Sequence, residues 1–438
     1  TALQRKPGSS SAPLEALIHA FGNALNAIDL EHDTSYAHYG VSFVTYRLRP
    51  FQLKLPPPKC LAIFIYSSNH APELTEVIYN TVSSAPDARQ FAFIVNISGR
   101  RDLDVILEQL RTNNFTLLEM RETEVKHLVG ARLPTRALTN FILDHVNLMT
   151  ISPFLTGGPV PENMFYGRQR ELNEVRTRLA STSVSLIGGR RIGKTSTLQR
   201  LEGNLQLPNA EQIPYYLDCS GVTNYEAFFY ALSVRWQIDI DPLKTRPFEF
   251  ERVLRELQQR TPRRKIAFLL DEVDNLLRFD QHPENKETLF RTFRSLSNEQ
   301  RCQFVFSGEK WLMRAASDPY SALFNFAKGV RLEPLPPSVV KGLVADPFET
   351  LNIWIEGAEE VIGYIYNISA GHPNIVQMLC EAMIRELDRE GRNTNLVNLG
   401  HLDNALKNHQ LKQQIVETIW GQMTPLARLI TLVWPDGE

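Results

Sequence analysis

The stretch that most constrains this chain is residues 183–196, SVSLIGGRRIGKTS, in which a short apolar run passes through glycines into a predicted helix. Gly188, Gly193, Lys194 and Thr195 have the G-x-x-x-x-G-K-[ST] spacing of a phosphate-binding loop. Backbone N–H groups of such a loop close around phosphate oxygens, and the positive end of the helix dipole adds to the attraction. A strand, this loop and a helix together predict an α/β core that binds phosphate.

Every position of the loop is assigned to nucleotide binding. Lys194 is long enough to reach the β- and γ-phosphates, and the Thr195 hydroxyl is placed to hold Mg²⁺. The two adjacent arginines are expected to serve phosphates as well. The predicted nucleotide-binding residues of the loop are Gly188, Gly189, Arg190, Arg191, Ile192, Gly193, Lys194, Thr195 and Ser196.

A second motif, RRKIAFLLDEVD over residues 263–274, has the pattern of a buried strand that ends in acids. In a parallel sheet such a strand delivers its last side chains to the carboxyl edge, beside the phosphate loop. We predict that Asp271 holds hydrated Mg²⁺ and that Glu272 is the general base, which makes Lys194, Glu272 and Asp271 the catalytic set. Asp274 has two interpretations, as a cap or salt-bridge residue and as a site residue.

Two other segments contain candidate site residues. Phe165, Tyr166, Gly167 and Arg168 precede the phosphate-loop strand and are predicted to form the wall beside the adenine, because aromatic rings offer a stacking surface and glycine allows close approach. The alternative is that the two aromatic residues belong to the core. Ser307 ends a predicted strand, where it lies either beside the γ-phosphate or in a simple turn.

A short turn before a predicted lid helix contains His372 and Pro373. Proline suits the first position of a helix, because its missing N–H has no partner there. His372 has three interpretations, as a neutral loop histidine, a proton-sensitive switch or a phosphate ligand. Arg314, Lys328 and Arg331 are candidates to contact a nucleotide across a subunit interface, or are solvated.

Composition limits the class of protein. A chain of 438 residues with 43% hydrophobic and 22% charged residues is typical of a globular protein with several domains. The net charge of -2 gives no overall electrostatic attraction to nucleic acid. No apolar stretch is long enough to cross a membrane and no signal region opens the chain, so we expect a cytoplasmic protein. The widely spaced cysteines indicate neither a zinc site nor a disulfide framework: Cys60, Cys219, Cys302 and Cys380.

The region before the phosphate loop divides into three parts. Residues 1–39 are predicted to be a tail and an amphipathic helix, whose apolar stripe runs from Leu14 to Ile28. Alternating strands and helices over residues 40–150 predict a small parallel α/β domain of unknown role. Residues 151–164 are rich in proline and glycine and are interpreted as a linker.

One alternative gives this small domain a nuclease site. Asp87, Glu124 and Lys126 imitate the pattern in which two carboxylates hold Mg²⁺ and a lysine polarises water. The other interpretation places Asp87 in a loop and the other two residues in a charged surface segment. A sensory, dimerisation or partner-binding role is the default expectation.

Four segments together resemble a known family: residues 165–168, 188–196, 268–274 and 371–373. With them, the region from about 165 to 387 resembles the AAA+-related P-loop NTPases of the STAND class, the signal-transduction ATPases that include NLR-like immune sensors and bacterial regulators. It is also similar to archaeal ATPases and to replication initiators of the origin-recognition type.

The resemblance implies a particular fold. A five-stranded P-loop core is expected over residues 165–337, with the strand after Phe304 inserted between the phosphate-loop strand and the strand that ends at Asp271. A helical lid is expected over residues 338–410, and the start of a winged-helix domain, which this chain does not complete, over residues 411–438.

The resemblance also implies an activity. ATP or ADP with Mg²⁺ would be the cofactors, and the chain would be a slowly hydrolysing ATPase that acts as a molecular switch. Pro373 would touch the base or sugar, so that nucleotide state sets lid rotation, assembly into a homo-oligomer in the ATP state, or signalling to an unknown protein partner. Two alternatives remain: a DNA-binding initiator or loader, and an ATPase that regulates an N-terminal effector domain.

Overall fold

The computed structural model describes residues 11–49, 53, 55, 58–67, 72–84, 91–99, 116–241, 245–262, 264–390, 395–421, 423 and 428–429. The chain divides into two compact units, each built from three segments. The first unit comprises Thr1–Pro153, Asp346–Glu356 and Glu381–His401. The second unit comprises Phe154–Ala345, Gly357–Cys380 and Leu402–Glu438.

The sheet of the first unit is mixed. Its strands, in spatial as well as chain order, are β1 (Ala27–Asp33), β2 (Val41–Leu48), β3 (Lys59–Ile65), β4 (Ala92–Asn96) and β5 (Leu117–Arg121). The pairs β3–β4 and β4–β5 are parallel, as predicted for this domain. The pairs β1–β2 and β2–β3 are antiparallel, which corrects the prediction of a parallel sheet. Their connections are too short to hold the crossover that parallel neighbours need.

The first strand was missed because its residues continue an apolar helical pattern. The helix Ser11–Ala24 ends well before Ile28, which lies in β1 and is exposed. Asn26 has a φ of 54°, in the left-handed region that ends a helix. The predicted apolar stripe from Leu14 to Ile28 therefore extends past the end of the helix.

The first unit also contains helices and two short strands that pair with each other. Its core consists of aliphatic and aromatic side chains such as Val41, Phe43, Ile63 and Ile94. The helices are Ser11–Ala24, Pro72–Ser84, Glu122–Gly130, Pro134–His145 and Leu148–Ile151, and the short parallel strands are β11 (Trp354–Ile355) and β12 (Leu396–Val397).

The proposed nuclease residues have structural partners where the structure describes them. The Glu124 carboxylate accepts hydrogen bonds from the Arg121 backbone N–H and the Thr123 hydroxyl, in a capping box at the start of Glu122–Gly130. Lys126 pairs with Glu122 at 2.6 Å. Asp87 lies outside the described residues. Glu124 and Lys126 therefore belong to the charged helix surface of the second interpretation.

The sheet of the second unit is parallel throughout the described residues. Its strands are β6 (Ser183–Gly188), β7 (Gln212–Asp218), β8 (Lys265–Asp271), β9 (Cys302–Gly308) and β10 (Ala327–Leu332), in the spatial order β10-β6-β9-β8-β7. The strand that contains Phe304 thus lies between the phosphate-loop strand and the acid-bearing strand, which confirms the predicted topology. All three strands end at the same edge of the sheet, where ligands bind in such folds.

Helices cover both faces of this sheet. Phe268 and Phe304 stack on one face, where Phe250 and Phe293 pack from two helices. The described helices wholly within the second unit are Gln169–Leu179, Lys194–Leu205, Tyr225–Trp236, Phe250–Arg260, Asp274–Asp280, Thr288–Asn298, Lys310–Ser317, Ala358–Ser369 and His409–Trp420. The helices Pro337–Thr350, Pro373–Arg389 and Leu399–Leu406 contain residues of both units. Alternating strand residues therefore face two helical layers, which buries the strands on both sides.

Three sequence expectations remain, about membrane spans, cysteines and the last segment of the chain. Among the described residues, no helix combines the length and apolar character that a membrane span requires. All four cysteines are buried free thiols. Half of the predicted start of a winged-helix domain, residues 422, 424–427 and 430–438, lies outside the described part of the chain.

Candidate functional site

The glycine loop joins the end of β6 to the helix Lys194–Leu205 through residues in unusual backbone conformations. Arg191 has a φ of 57° and Gly193 a φ of 103°. A side chain at Gly188 would place its Cβ 2.8 Å from Ile192 Cγ2. Glycines are therefore needed here for the tight turn, which leaves the first N–H groups of the helix open to an anion.

Lys194 is buried, with only 4% of its surface exposed. Its ammonium group donates to the backbone oxygens of Gly188 at 3.3 Å and Gly189 at 3.0 Å. It also lies 3.6 Å from a carboxylate oxygen of Glu309 and 4.0 Å from one of Glu272. The loop and the acids that follow β8 and β9 thus converge on one ammonium group.

Asp271 and Glu272 occupy different environments at the end of β8. Asp271 is 1% exposed, and its carboxylate accepts hydrogen bonds from the Tyr216 hydroxyl at 3.2 Å and the Glu272 backbone N–H at 3.1 Å. Glu272 has a φ of 52° and a partly exposed side chain. Burial raises the pKa of Glu272, and the carboxylates of Asp271 and Glu309 raise it further, while Lys194 opposes them. A raised pKa suits a carboxylate that accepts a proton near neutral pH.

Glu309 was not predicted from the sequence. It follows Gly308 at the end of β9, and its backbone N–H donates to Asp274 at 2.6 Å. The same Asp274 carboxylate accepts from the N–H groups of Trp311 and Leu312, so it has the capping role of the first interpretation. The signal for Glu309 was its position directly after a buried core strand, since parallel strands carry their last residues to the ligand edge.

One cavity of about 270 Å³ brings most of the predicted site residues together. Phosphate-loop residues, the acid after β8 and the residue that opens the lid helix all line it. The predicted residues in the lining are Phe165, Tyr166, Arg168, Arg190, Arg191, Ile192, Gly193, Lys194, Thr195, Ser196, Glu272 and Pro373.

Other predicted site residues do not line this cavity. Gly188, Gly189 and Asp271 are not among its lining residues. Ser307 is fully buried, and its hydroxyl has no hydrogen-bond partner among the described residues. It is not among the lining residues, and its position beside the γ-phosphate stays a prediction. Gly167 has a φ of 69°, and a Cβ there would meet Val339 at 2.3 Å, so this glycine serves a turn packed against a helix rather than a ligand.

Arg168 holds backbone groups in place. Its guanidinium donates to the carbonyl oxygens of Ile192 at 3.2 Å and Glu333 at 2.6 Å, and it pairs with Glu171 at 3.1 Å. Burial lowers the pKa of Arg168. Its charge therefore fixes the phosphate loop against the end of β10, and Arg168 also lines the cavity, so its place in the wall beside the adenine stays a prediction.

The turn before the lid helix is bonded to the phosphate loop. His372 Nε2 donates to the Arg190 carbonyl oxygen at 3.1 Å, and burial lowers the pKa of this histidine. The Gly371 carbonyl oxygen accepts from the Leu335 N–H at 2.8 Å. This geometry corresponds to the neutral loop histidine among the three interpretations.

The segment interpreted as a linker forms part of the cavity wall. Residues 155–160, which we name the strap, are held by three side chains. Gln377 accepts from the Leu155 N–H at 3.0 Å, Asn374 donates to the Thr156 carbonyl at 2.9 Å, and the Ser196 hydroxyl accepts from the Val160 N–H at 3.1 Å. Its proline and glycine content predicted a boundary but gave no sign of this role.

The basic candidates have varied surroundings. Arg314 lies over the Trp311 ring, 5.9 Å from its centroid. Lys328 and Arg331 are exposed on β10 and remain predictions. Arg264 donates to the backbone carbonyls of Leu205 and Gln212.

Comparisons with known proteins agree with this geometry. Residues 178–315 match the family model described as an AAA domain. No curated protein matches the chain in sequence.

Similar solved structures include archaeal ATPases. A Walker-type ATPase of Pyrococcus abyssi is 17% identical, with a TM-score of 0.45, over 64% of this chain and 80% of that one. The ORC2 protein of Aeropyrum pernix, solved as ADPNP–ADP complexes, is 14% identical, with a TM-score of 0.45, over 58% of this chain and 71% of that one. The ORC1 protein of Aeropyrum pernix, solved in complex with DNA, is 19% identical, with a TM-score of 0.41, over 63% of this chain and 75% of that one.

Such distant likenesses carry no argument about function. The match to the family model covers the phosphate loop, the acids after β8, and β9, which lies between β6 and β8 in the sheet. Residues 178–315 are similar to an AAA domain, and the chain is a P-loop ATPase.

Proposed function

We propose that this ATPase is a STAND-type molecular switch, in which the bound nucleotide sets the position of the lid and thereby assembly or partner signalling. The observation that carries the proposal is the shared cavity: Lys194 and Glu272 from the core and Pro373 from the lid all line it. A ligand can shift a conformational equilibrium only through contacts that differ between two states. A nucleotide in this cavity has such contacts available.

The catalytic step would use the acids around Lys194. Water attacks the γ-phosphorus, the bond to the β–γ bridging oxygen breaks, and Glu272 accepts the proton that the water loses. Lys194 would leave its loop carbonyls and acidic neighbours for the phosphate oxygens, which offer it a full charge partner. Its bonds to Gly188, Gly189, Glu272 and Glu309 therefore have to be exchanged when nucleotide binds.

The residues present fit a magnesium ion at the phosphates. Mg²⁺ in nucleotide sites takes one or two protein oxygens in addition to phosphate and water oxygens. Thr195 is the second residue of the phosphate-loop helix and lines the cavity, and Asp271 ends the acid-bearing strand β8. We assign these two oxygens to the ion, which would supply charge neutralisation at the phosphates.

The lid contact makes nucleotide sensing possible. His372 binds the Arg190 carbonyl, and Pro373, next in sequence, lines the cavity. If phosphate binding moves the loop at Arg190, it would strain or break the hydrogen bond from His372. That residue lies in the turn directly before the lid helix. In the proposed cycle, ADP keeps this closed arrangement, and exchange for ATP frees the lid to rotate and the chain to form homo-oligomers.

The first experiment removes the phosphate-loop lysine. Lys194→Ala should abolish ATP binding, measured by calorimetry, and ATP-dependent growth in mass, measured by light scattering with ADP and with ATP. The matched control is Lys412→Ala, at an exposed lysine on the helix His409–Trp420. Normal ATP-dependent oligomers from the Lys194 variant would contradict the switch.

The second experiment separates binding from hydrolysis. Glu272→Gln should bind ATP with nearly unchanged affinity, while the rate of hydrolysis falls about 10²–10⁴-fold, the usual contribution of a general base. Glu284→Gln is the control, because Glu284 is exposed and pairs only weakly with His282. Undiminished hydrolysis by the Glu272 variant would remove this residue from the proposed role.

The alternatives are less well supported. The Arg190 and Arg191 pair lines the cavity, where it is placed for nucleotide phosphates, and Arg264 donates to backbone carbonyls. Duplex binding that weakens steeply with salt would favour the initiator alternative, because phosphate contacts release counterions. An effector role for the N-terminal region stays a prediction, which metal-dependent nuclease activity lost in Asp87→Ala would support.

A further inference from the structure

One polar atom in the cavity wall lacks the partner that buried polar atoms normally have. Asn374 is 7% exposed and lines the cavity. Its amide nitrogen donates to the Thr156 carbonyl at 2.9 Å. Its amide oxygen is buried and has no hydrogen-bond partner among the described residues. Most buried side-chain acceptors are paired, so an unpaired one on a residue that lines a cavity points to a ligand donor.

The orientation of this amide is fixed by the strap. If the Asn374 amide rotated by half a turn, its oxygen would face the Thr156 carbonyl oxygen, and two acceptors would meet. Gln377 holds the neighbouring Leu155 N–H, so the strap is anchored on both sides of this contact. The Asn374 oxygen is therefore a directed acceptor whose position does not depend on the ligand.

The surroundings of Asn374 match a nucleobase better than phosphate. Apolar side chains of Leu155, Phe165, Leu335 and Leu343 line the same cavity as Pro373. Phosphates belong at the glycine loop, where N–H groups and Lys194 are available. An acceptor oxygen would repel a phosphate but suits the edge of a flat, apolar base that carries a donor.

We propose that the Asn374 amide oxygen accepts a hydrogen bond from the exocyclic amino group of the base, and so makes the site select a 6-aminopurine nucleotide. The inference rests on the proposed binding of nucleotide in this cavity. Adenine presents an amino donor at this edge, whereas guanine presents a carbonyl oxygen at the same position. Guanine in the same pose would place two acceptors face to face.

The test compares ligands on the intact chain, so that it does not depend on a variant that folds. Calorimetry gives Kd for ATP and for purine riboside triphosphate, which lacks only the 6-amino group. We expect the Kd for ATP to be lower than that for the purine analogue by about 10-fold or more. The analogue has no amino group to donate, so it leaves the buried Asn374 oxygen without a hydrogen bond, and that oxygen has already lost its contact with water. GTP should bind more weakly than either ligand. 2′-Deoxy-ATP should bind like ATP.

Two variants assign the preference to this atom. In Asn374→Ala, the ratio of the two Kd values should fall to within about 2-fold, because no acceptor remains to distinguish the ligands. Gln377→Ala is the matched control: it also releases the strap, at Leu155, but it leaves the Asn374 oxygen in place, so the ratio should persist. A general loosening of the strap would weaken both ligands equally in both variants.

Each contrary result has a distinct meaning. Equal binding of ATP and the purine analogue to the unaltered chain would overturn the inference while leaving nucleotide binding intact. Weak binding of 2′-deoxy-ATP with no effect of the amino group would assign the oxygen to the sugar, and would overturn it too. If no nucleotide binds, the proposed function fails and the inference fails with it.

Discussion

At the scale of single residues, Lys194 has two acidic neighbours. Glu272 lies 4.0 Å and Glu309 3.6 Å from its ammonium group. These contacts counterbalance a buried positive charge that would otherwise be costly. They also couple the two carboxylates, since the charge of Glu309 raises the pKa of Glu272.

This coupling predicts a pH effect. Because burial and neighbouring carboxylates raise the pKa of Glu272, the deprotonated general base is lost at a higher pH than an ordinary glutamate would be, and ATP hydrolysis should fall there. Glu309→Gln removes one of the charges that raise this pKa, so the acidic limb of the kcat/KM profile, which reports the nucleotide-free chain, should move to lower pH. An unchanged limb, as expected for the exposed control Glu284→Gln, would show that the two carboxylates do not interact.

Arg168 gives a stability prediction. Arg168→Leu leaves the Ile192 and Glu333 carbonyls without their charged donor, and the free energy of unfolding should fall by about 2–3 kcal/mol. Denaturant titration measures this change. Arg170→Leu, at an exposed neighbour, should change it little. Equal effects of the two substitutions would mean that the Arg168 contacts contribute no net stability.

At the scale of elements, strand order explains why the site assembles. Parallel strands β6, β9 and β8 are neighbours, and each ends at the same edge. A phosphate loop on the first, Glu309 after the second and Glu272 after the third must therefore meet. The antiparallel half of the first unit's sheet has no such common edge.

Two glycines in this region should respond in opposite ways to substitution by alanine: Gly371 lies in the lid turn, and Gly363 lies in a helix. Gly371 has a φ of 74°, and a Cβ there would lie 2.1 Å from the Leu335 carbonyl oxygen. Gly371→Ala should therefore lower the free energy of unfolding by more than about 1 kcal/mol and weaken ATP binding, because the turn beside Pro373 has to shift. Thermal unfolding and calorimetry measure the two effects.

The control glycine lies in a helix of the same region. Gly363 is in the interior of Ala358–Ser369, and a Cβ there meets nothing within 4 Å. Gly363→Ala should stabilise the chain by about 0.5–1 kcal/mol, because alanine loses less backbone entropy in a helix. Destabilisation by both substitutions would point to a general intolerance of change, rather than to the backbone conformation at Gly371.

At the scale of the whole molecule, nucleotide binding should raise the free energy of unfolding. ATP at a concentration of 100 Kd is expected to raise the free energy of unfolding of the second unit by about 2.7 kcal/mol, because it binds only the folded state. Lys194→Ala should lose this gain. That variant should also be less stable without nucleotide, since Glu272 and Glu309 lose their shared counter-charge. Stabilisation by ATP that persists in the variant would place the ligand elsewhere.

Much of the core was predictable because its signals are local. The glycine spacing around Lys194 and the apolar run before Asp271 each lie within a few residues. Parallel topology then brought the loop and the acids together without further information. Ile28 illustrates the limit of local patterns, because its apolar side chain continued a helical period across the break at Asn26.

By itself the sequence determined the phosphate loop, the acid-bearing strand and the helix start at Pro373, since these depend on backbone conformation and periodicity over short distances. Only the tertiary structure decided that Arg168 fixes the loop, that Ser307 is buried away from the cavity and that the strap is part of its wall. Asn374 bonds to Thr156, far away in sequence, so its unpaired oxygen becomes visible only once the fold has brought those two segments together.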